Sequence, residues 1–248
     1  MAENLWHGFR CERFEFDGKD AIVVFPNKVE PEKNWLLKTE YWDAFPQPEI
    51  EMLKKGFHLA FVGNDSRFAT KSDCTRKARF VEYISSQFRI RDKCIPVGYS
   101  CGGAHAVNFA GIYPNSVCCL YLDAPVLNFC DYPGRLNDAS CERVWNEEFV
   151  AAYPGVTRAS LLMFENHPLN KIETLKKHKI PIVMLYGTQD STVDYNKNGK
   201  LLELEYENSP GLLTVIPRFL QGHHPHGEIY DAEKLTGLLW SNSHLQCR

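Results

Sequence analysis

Apolar runs of strand length recur along the chain, separated by stretches with helical spacing, and this alternation limits the fold more than any other feature. Residues 21–25, 58–62, 94–98, 117–122, 182–186 and 212–216 are apolar or β-branched over most of their length, as strands buried on both faces are. Among them, Cys74, Ala78, Val81, Ile84 and Phe88 fall three and four apart and form one apolar stripe. Shorter helices are expected over 49–55, 104–112, 169–177 and 231–240. The order strand, helix, strand predicts an α/β chain with a mainly parallel central sheet and helices on both faces. Residues 9–25 alternate polar and apolar around Asp17-Gly18, a hairpin-turn dipeptide, so two antiparallel strands precede the parallel part.

One connection breaks the rhythm. Residues 126–180 hold no strong strand and are punctuated by Asp131-Tyr132-Pro133-Gly134 and Tyr153-Pro154-Gly155. A connection of this length usually has a function, such as covering a site, and 126–167 is expected to form a small lid or insertion within a single domain spanning 1–248. The 248 residues suit one large domain, and 44% hydrophobic with 24% charged residues excludes disorder throughout. Twenty-eight basic residues against thirty-one acidic ones, a net charge of -3, give no drive toward a polyphosphate, so no nucleic-acid partner is expected. The longest apolar runs fall well short of a membrane span, and no membrane association is expected. No signal-peptide pattern opens the sequence, so a cytoplasmic location is the expectation. Nine cysteines occur without a C-x-x-C pair, and Cys118-Cys119 lie inside an apolar run; reduced, buried thiols are expected.

Gly98-Tyr99-Ser100-Cys101-Gly102-Gly103 follows the 94–98 run and opens a helical pattern, the setting of a G-x-S-x-G nucleophile elbow. The tight turn brings positions 98 and 102 together, which calls for glycine at both. It also leaves the Ser100 hydroxyl above the sheet at a helix N-terminus, where free N–H groups favour developing negative charge. A serine hydroxyl needs a base, and the base needs an acid to fix its tautomer; in this architecture they follow in the order Asp or Glu, then His. Asp190 sits in Gly187-Thr188-Gln189-Asp190, directly after the 182–186 strand, with Asp194 and Asp123 as rival acids. The base lies in Gly222-His223-His224-Pro225-His226-Gly227, with His223 preferred and His224 or His226 as an alternative base or a supporting residue. A metal site in this loop is the competing reading. Pro225 breaks helical ligand spacing and no matching ligand cluster stands elsewhere, so neither a metal nor a cofactor is expected.

These residues carry a family likeness. Ser100, Asp190 and His223 in this order resemble the α/β-hydrolase superfamily. More narrowly, the Gly98–Gly103 segment, Leu122-Asp123-Ala124-Pro125-Val126 and the 222–227 loop resemble a group of bacterial hydrolases. That group is related to prolyl-oligopeptidase-like catalytic domains and includes carbohydrate esterases. The resemblance implies an α/β-hydrolase fold with a small insertion over the site, and one oxyanion donor at the Cys101 N–H. Many relatives carry a His-Gly oxyanion loop after the strand matching 21–25; residues 27–35 here lack it, and the Trp35 N–H is the candidate second donor. Trp35, Tyr41, Trp42, Phe45, Tyr132 and Trp145 fall in segments expected to overhang the site; packing is the favoured reading of these aromatics, and stacking on a sugar ring the rival one, with Trp42, Tyr132, Trp145 and Tyr99 of the elbow as candidate substrate-lining residues. The expected activity is a serine esterase acting on a small acyl ester, an acetylated carbohydrate being the leading substrate. A prolyl-oligopeptidase-like peptidase and a non-catalytic ligand-binding protein on the same fold are the alternatives.

Overall fold

The computed structural model describes residues 4–223 and 231–245, with the side chain of Leu245 excepted. Among the described residues, nine strands form one sheet in the order β1-β2-β3-β5-β4-β6-β7-β8-β9. The strands are β1 (Leu5–Trp6), β2 (Phe9–Phe16), β3 (Lys19–Val24), β4 (Trp35–Lys38), β5 (His58–Val62), β6 (Ile95–Tyr99), β7 (Leu120–Asp123), β8 (Ile182–Gly187) and β9 (Leu213–Arg218). From β1 to β3 and on to β5 the pairing is antiparallel, while β5, β4, β6, β7, β8 and β9 run parallel. The Asp17-Gly18 hairpin closes with both residues at positive φ, 51° and 71°, the two-residue turn whose twist matches that of its strands.

The helices are α1 (Gln47–Lys54), α2 (Lys71–Phe88), α3 (Cys101–Ile112), α4 (Ala139–Val144), α5 (Val150–Ala152), α6 (Ile172–Lys177), α7 (Gly199–Tyr206) and α8 (Ala232–Leu245), with a π-helical turn at Trp145–Phe149 joining α4 to α5. Alternate residues of the central strands feed two cores, as the period of a strand requires. Leu120, Leu122, Ile182 and Met184 pack with α2, α3, α6 and α7 on one face. Ile95, Val97, Tyr99, Tyr121, Val183 and Leu185 pack with α1 and α8 on the other. The stripe of α2 is buried at Cys74, Ala78, Val81 and Ile84, and its N-terminus is capped by the Thr70 side chain, which accepts from Asp73 N–H.

The sheet departs from expectation at β4. Residues 27–35 were expected to form a site loop, whereas Trp35 opens a four-residue strand inserted between β5 and β6. The expected helices over 49–55, 104–112, 169–177 and 231–240 correspond to α1, α3, α6 with the 3-10 turn before it, and α8. Residues 126–180 hold short helical turns and no strand. Their apolar side chains form a third core: Phe129, Tyr132, Val144, Trp145, Phe149 and Leu161 close over Phe68, Cys101 and Ala104. The segment therefore packs on the start of α3, at the edge where β6 ends.

Candidate active site

Ser100 occupies the turn between β6 and α3 at φ 52° and ψ -120°, left-handed backbone that a non-glycine residue adopts only under constraint. Three backbone bonds supply the constraint: Ser100 N–H donates to Asp123 O at 3.0 Å, and Ser100 O accepts from Gly103 N–H at 2.9 Å and Val126 N–H at 2.8 Å. The elbow is thus tied to the turn after β7. A Cβ at Gly98 would lie 2.6 Å from Gly102 O and 2.7 Å from Gly103 Cα, closer than real side chains come. Gly102 is tight against the loop after β4, with a virtual Cβ 3.2 Å from Glu40 Cβ. Gly103 is the stricter requirement, because its Cβ would run into Pro125, reaching 2.7 Å from that residue's Cα.

The structure brings Ser100, His223 and Asp190 together from positions far apart in sequence. Ser100 Oγ lies 3.0 Å from His223 Nε2, and His223 Nδ1 lies 2.7 Å from Asp190 Oδ2. The other oxygen of Asp190 accepts from Thr192 N–H and Val193 N–H, both at 2.9 Å. Burial pushes the Asp190 carboxyl up, but the His223 hydrogen bond and charge and the two N–H donors outweigh it and hold the pKa below the ordinary carboxylate value. The Asp190 side chain is 1% exposed and that of His223 21%, so the carboxyl is covered while the imidazole meets the pocket. The rival acids are used elsewhere. Asp194 caps a 3-10 turn through Asn196 N–H at 2.9 Å, and Asp123 Oδ2 accepts from Tyr121 OH at 3.3 Å. His224 and His226 lie outside the described residues.

The N–H of Cys101 opens α3 with no intrahelical partner. Its thiol is buried and pushed up to about 11, burial being the main cause, so it is a neutral neighbour of the serine. Trp35 is not placed to be the second oxyanion donor. It pairs with His58 at the opening end of β5 and its indole donates to Arg91 O at 2.8 Å, whereas Ser100 lies past the closing end of β6. The strand register explains the error: Lys38, three residues beyond Trp35, is the one that pairs with Val97. What runs against the elbow is the loop after β4. Thr39 N–H donates to Val97 O at 3.0 Å and Thr39 Oγ1 donates toward Gly102 O at 2.8 Å.

Tyr41, Ala44, Phe45, Tyr99, Ser100 and His223 line a pocket of about 240 Å³. Of the candidate lining residues, Tyr99 is in this wall. Trp42 instead packs on Trp6 and Phe61, with ring centroids 5.1 and 5.5 Å away. Trp145 stacks on Phe149 at 4.8 Å, and Tyr132 is buried in the same core. These three are packing residues. Ala44 gave no signal in the sequence, and Tyr41 and Phe45 stood among the overhanging aromatics without being singled out.

No family model and no curated protein sequence matches the chain. Solved structures do. An S-formylglutathione hydrolase from Agrobacterium tumefaciens superposes with a TM-score of 0.67 at 16% identity, covering 98% of both chains. A truncated carbohydrate esterase from gut microbiota gives 0.61 at 16% identity, covering 91% of both. A puromycin-hydrolyzing peptidase from Mycobacterium tuberculosis gives 0.70 at 13% identity; 89% of the chain is covered, and it spans 37% of that longer protein. The chain has the α/β-hydrolase fold. Within this α/β-hydrolase sheet, Ser100, Asp190 and His223 all follow closing ends of parallel strands, β6, β8 and β9, which puts them on one edge. No helix among the described residues is long and apolar enough to cross a membrane.

Proposed function

We propose that the chain is a serine hydrolase that cleaves carboxylic esters through an acyl-enzyme on Ser100. The observation that carries this reading is the continuous hydrogen-bonded line from Ser100 Oγ through His223 to Asp190, at 3.0 and 2.7 Å, set on a left-handed elbow. His223 Nε2 takes the serine proton as Oγ attacks the carbonyl carbon. Asp190 holds the proton on Nδ1 and stabilises the imidazolium. The alcohol leaves with the proton from Nε2, and water then enters by the same route and frees the acid.

The oxyanion is received by the Cys101 N–H and, in this reading, the Tyr41 N–H. Two facts support Tyr41: it borders the pocket beside Ser100, and its N–H has no hydrogen-bond partner among the described residues. A pair of such donors contributes several kcal/mol in comparable sites, about 3 for one of them. The pocket wall is apolar and aromatic, which favours a compact apolar group on the substrate. A cavity of about 150 Å³ holds a benzene ring, so the present pocket takes an acetyl group with room to spare and acyl chains of several carbons. Acetylated sugars remain the first natural substrates to try, and the likeness to a carbohydrate esterase supports that choice.

The test is hydrolysis of p-nitrophenyl acetate, butyrate and hexanoate, and of acetylated sugars, with a p-nitroanilide peptide as the amide control. Ester turnover that falls by about a millionfold in kcat in Ser100→Ala is expected. Amide turnover exceeding ester turnover favours a peptidase. Ligand binding with no turnover in the native chain favours a binding protein.

A further inference from the structure

Lys38 and Glu49 form an ion pair with N–O distance 2.5 Å and each side chain 2% exposed, in contact with Ala44 and Tyr99 of the pocket wall. A buried pair of this kind adds little or no stability over apolar residues of similar size, so its presence points to a conformation that has to be specified. Its partners show which one. Lys38 Nζ donates to Ala44 O at 3.0 Å and sits 3.5 Å from the centroid of the Tyr99 ring. Tyr99 OH lies 3.1 Å from Glu49 Oε2 and 3.4 Å from Phe45 O. The pair therefore holds one carbonyl of the loop that walls the pocket, Ala44 O, and it holds the ring and hydroxyl of Tyr99, the residue before Ser100, whose OH also faces Phe45 O.

That loop needs gripping. Tyr41, Asp43 and Phe45 all have positive φ, at 55°, 68° and 50°, three left-handed non-glycine residues within five positions. Each is strained, and such backbone persists only where its surroundings hold it. At the near end the loop is fixed by Thr39 on Gly102 and by Asn64 Nδ2, which donates to Thr39 O at 2.8 Å. Mid-loop, Trp6 Nε1 donates to Asp43 Oδ1 at 2.9 Å, and at the far end Ala44 O and Phe45 O meet Lys38 and Tyr99. Between the two anchors lies Tyr41.

We infer that Lys38 and Glu49 are positioning residues for the ester site, an inference that rests on the serine-hydrolase reading above. Their buried charge pair clamps residues 39–46 in the left-handed conformation that aims the Tyr41 N–H at the oxyanion and sets the width of the acyl pocket through Ala44 and Phe45. Neither residue touches the substrate. Loss of the clamp relaxes the loop, so the donor drifts from the oxyanion and the pocket stops discriminating chain length.

The experiment uses the full chain with Lys38→Met and Glu49→Leu combined, which removes both charges and leaves neither stranded in the core. Three quantities are read on the folded variant: kcat and KM for p-nitrophenyl acetate, the kcat/KM profile from acetate to hexanoate, and amide hydrogen exchange. The expected result is a fall in acetate kcat of about tenfold or more with KM nearly unchanged. The chain-length profile flattens, and exchange accelerates in 39–46 but not in α2. Wild-type exchange in 39–46 with wild-type kcat and profile overturns the inference. So does a uniform rise in exchange across the whole chain with kcat intact, which is the mark of a merely structural pair. If the double variant does not fold, Tyr99→Phe is measured the same way. It removes only the hydroxyl, which faces Glu49, Phe45 O and Tyr121, and is expected to move the three readouts in the same direction; no change in any of them overturns the clamp. If the native chain shows no Ser100-dependent turnover, the hydrolase reading fails by itself, and exchange in 39–46 still decides whether the pair holds the loop.

Discussion

Replacing Asp190 by Asn tests the catalytic reading at its most sensitive bond. The substitution is close to isosteric, and the Asn carbonyl still accepts from Thr192 and Val193 N–H, so the loop after β8 keeps its shape. What changes is the face toward His223 Nδ1, now 2.7 Å from a carboxylate oxygen. An amide NH2 placed there donates, so Nδ1 becomes the acceptor and the ring proton moves to Nε2. Nε2 stands 3.0 Å from Ser100 Oγ and then cannot take the serine proton. The same tautomer error in a comparable triad lowers kcat about 10⁴-fold, or about 5.5 kcal/mol of transition-state stabilisation. Steady-state hydrolysis of p-nitrophenyl butyrate near pH 7.5 reads it, with circular dichroism to confirm the fold. The expected outcome is a kcat loss of about 10³ to 10⁴ for Asp190→Asn, against less than about threefold for Asp194→Asn. Asp190→Asn within tenfold of the native rate, or Asp194→Asn as the deeper loss, refutes the reasoning.

Three further outcomes follow from the same contacts. Gly103→Ala drives a Cβ into the rigid Pro125 ring and is expected to cost about 2 kcal/mol, roughly 4–8 °C in melting temperature; an unchanged melting temperature contradicts the packing. Ala44→Phe fills the apolar pocket and is expected to lower the hexanoate-to-acetate ratio of kcat/KM by about tenfold, while an unchanged ratio moves the acyl group elsewhere. The folded Asp190 carboxyl titrates below its unfolded value of about 3.9, so its stabilisation is fully present above that value and is lost as pH falls through the folded pKa. The urea-unfolding free energy of the native chain minus that of Asp190→Asn is therefore expected to shrink between pH 6 and pH 2.5, and a constant difference contradicts the assignment.

The elbow was legible because strain restricts composition: a left-handed Ser100 between crossing backbones needs glycine at 98, and that requirement writes itself into the sequence. The parallel strands β5, β6, β7 and β8 were legible because strands buried on both faces are continuously apolar, and the half-buried edge strand β9 was legible from the apolar and β-branched run 212–216. Strand β4 was not, since Trp35–Lys38 is four residues long and ends on a lysine whose charge is neutralised by Glu49, eleven residues further on in α1 and invisible to a local pattern. Missing β4 shifted the site loop by several residues, which is why Trp35 was chosen where the loop after β4 belongs. The Tyr41 donor is a backbone N–H and leaves no side-chain signature. Trp42 and Trp145 show the remaining limit: an aromatic beside a site and an aromatic in a satellite core read alike until the contacts on Trp6 and Phe149 are seen.

The most direct measurement is intact-mass and peptide mapping after treatment with a fluorophosphonate, which bonds only to a hydroxyl activated by its neighbours. One adduct per chain, located on Ser100 and strongly slowed in Asp190→Asn, is the predicted result. Stoichiometric labelling that persists in Ser100→Ala, or a native chain that takes no label at all, contradicts the account.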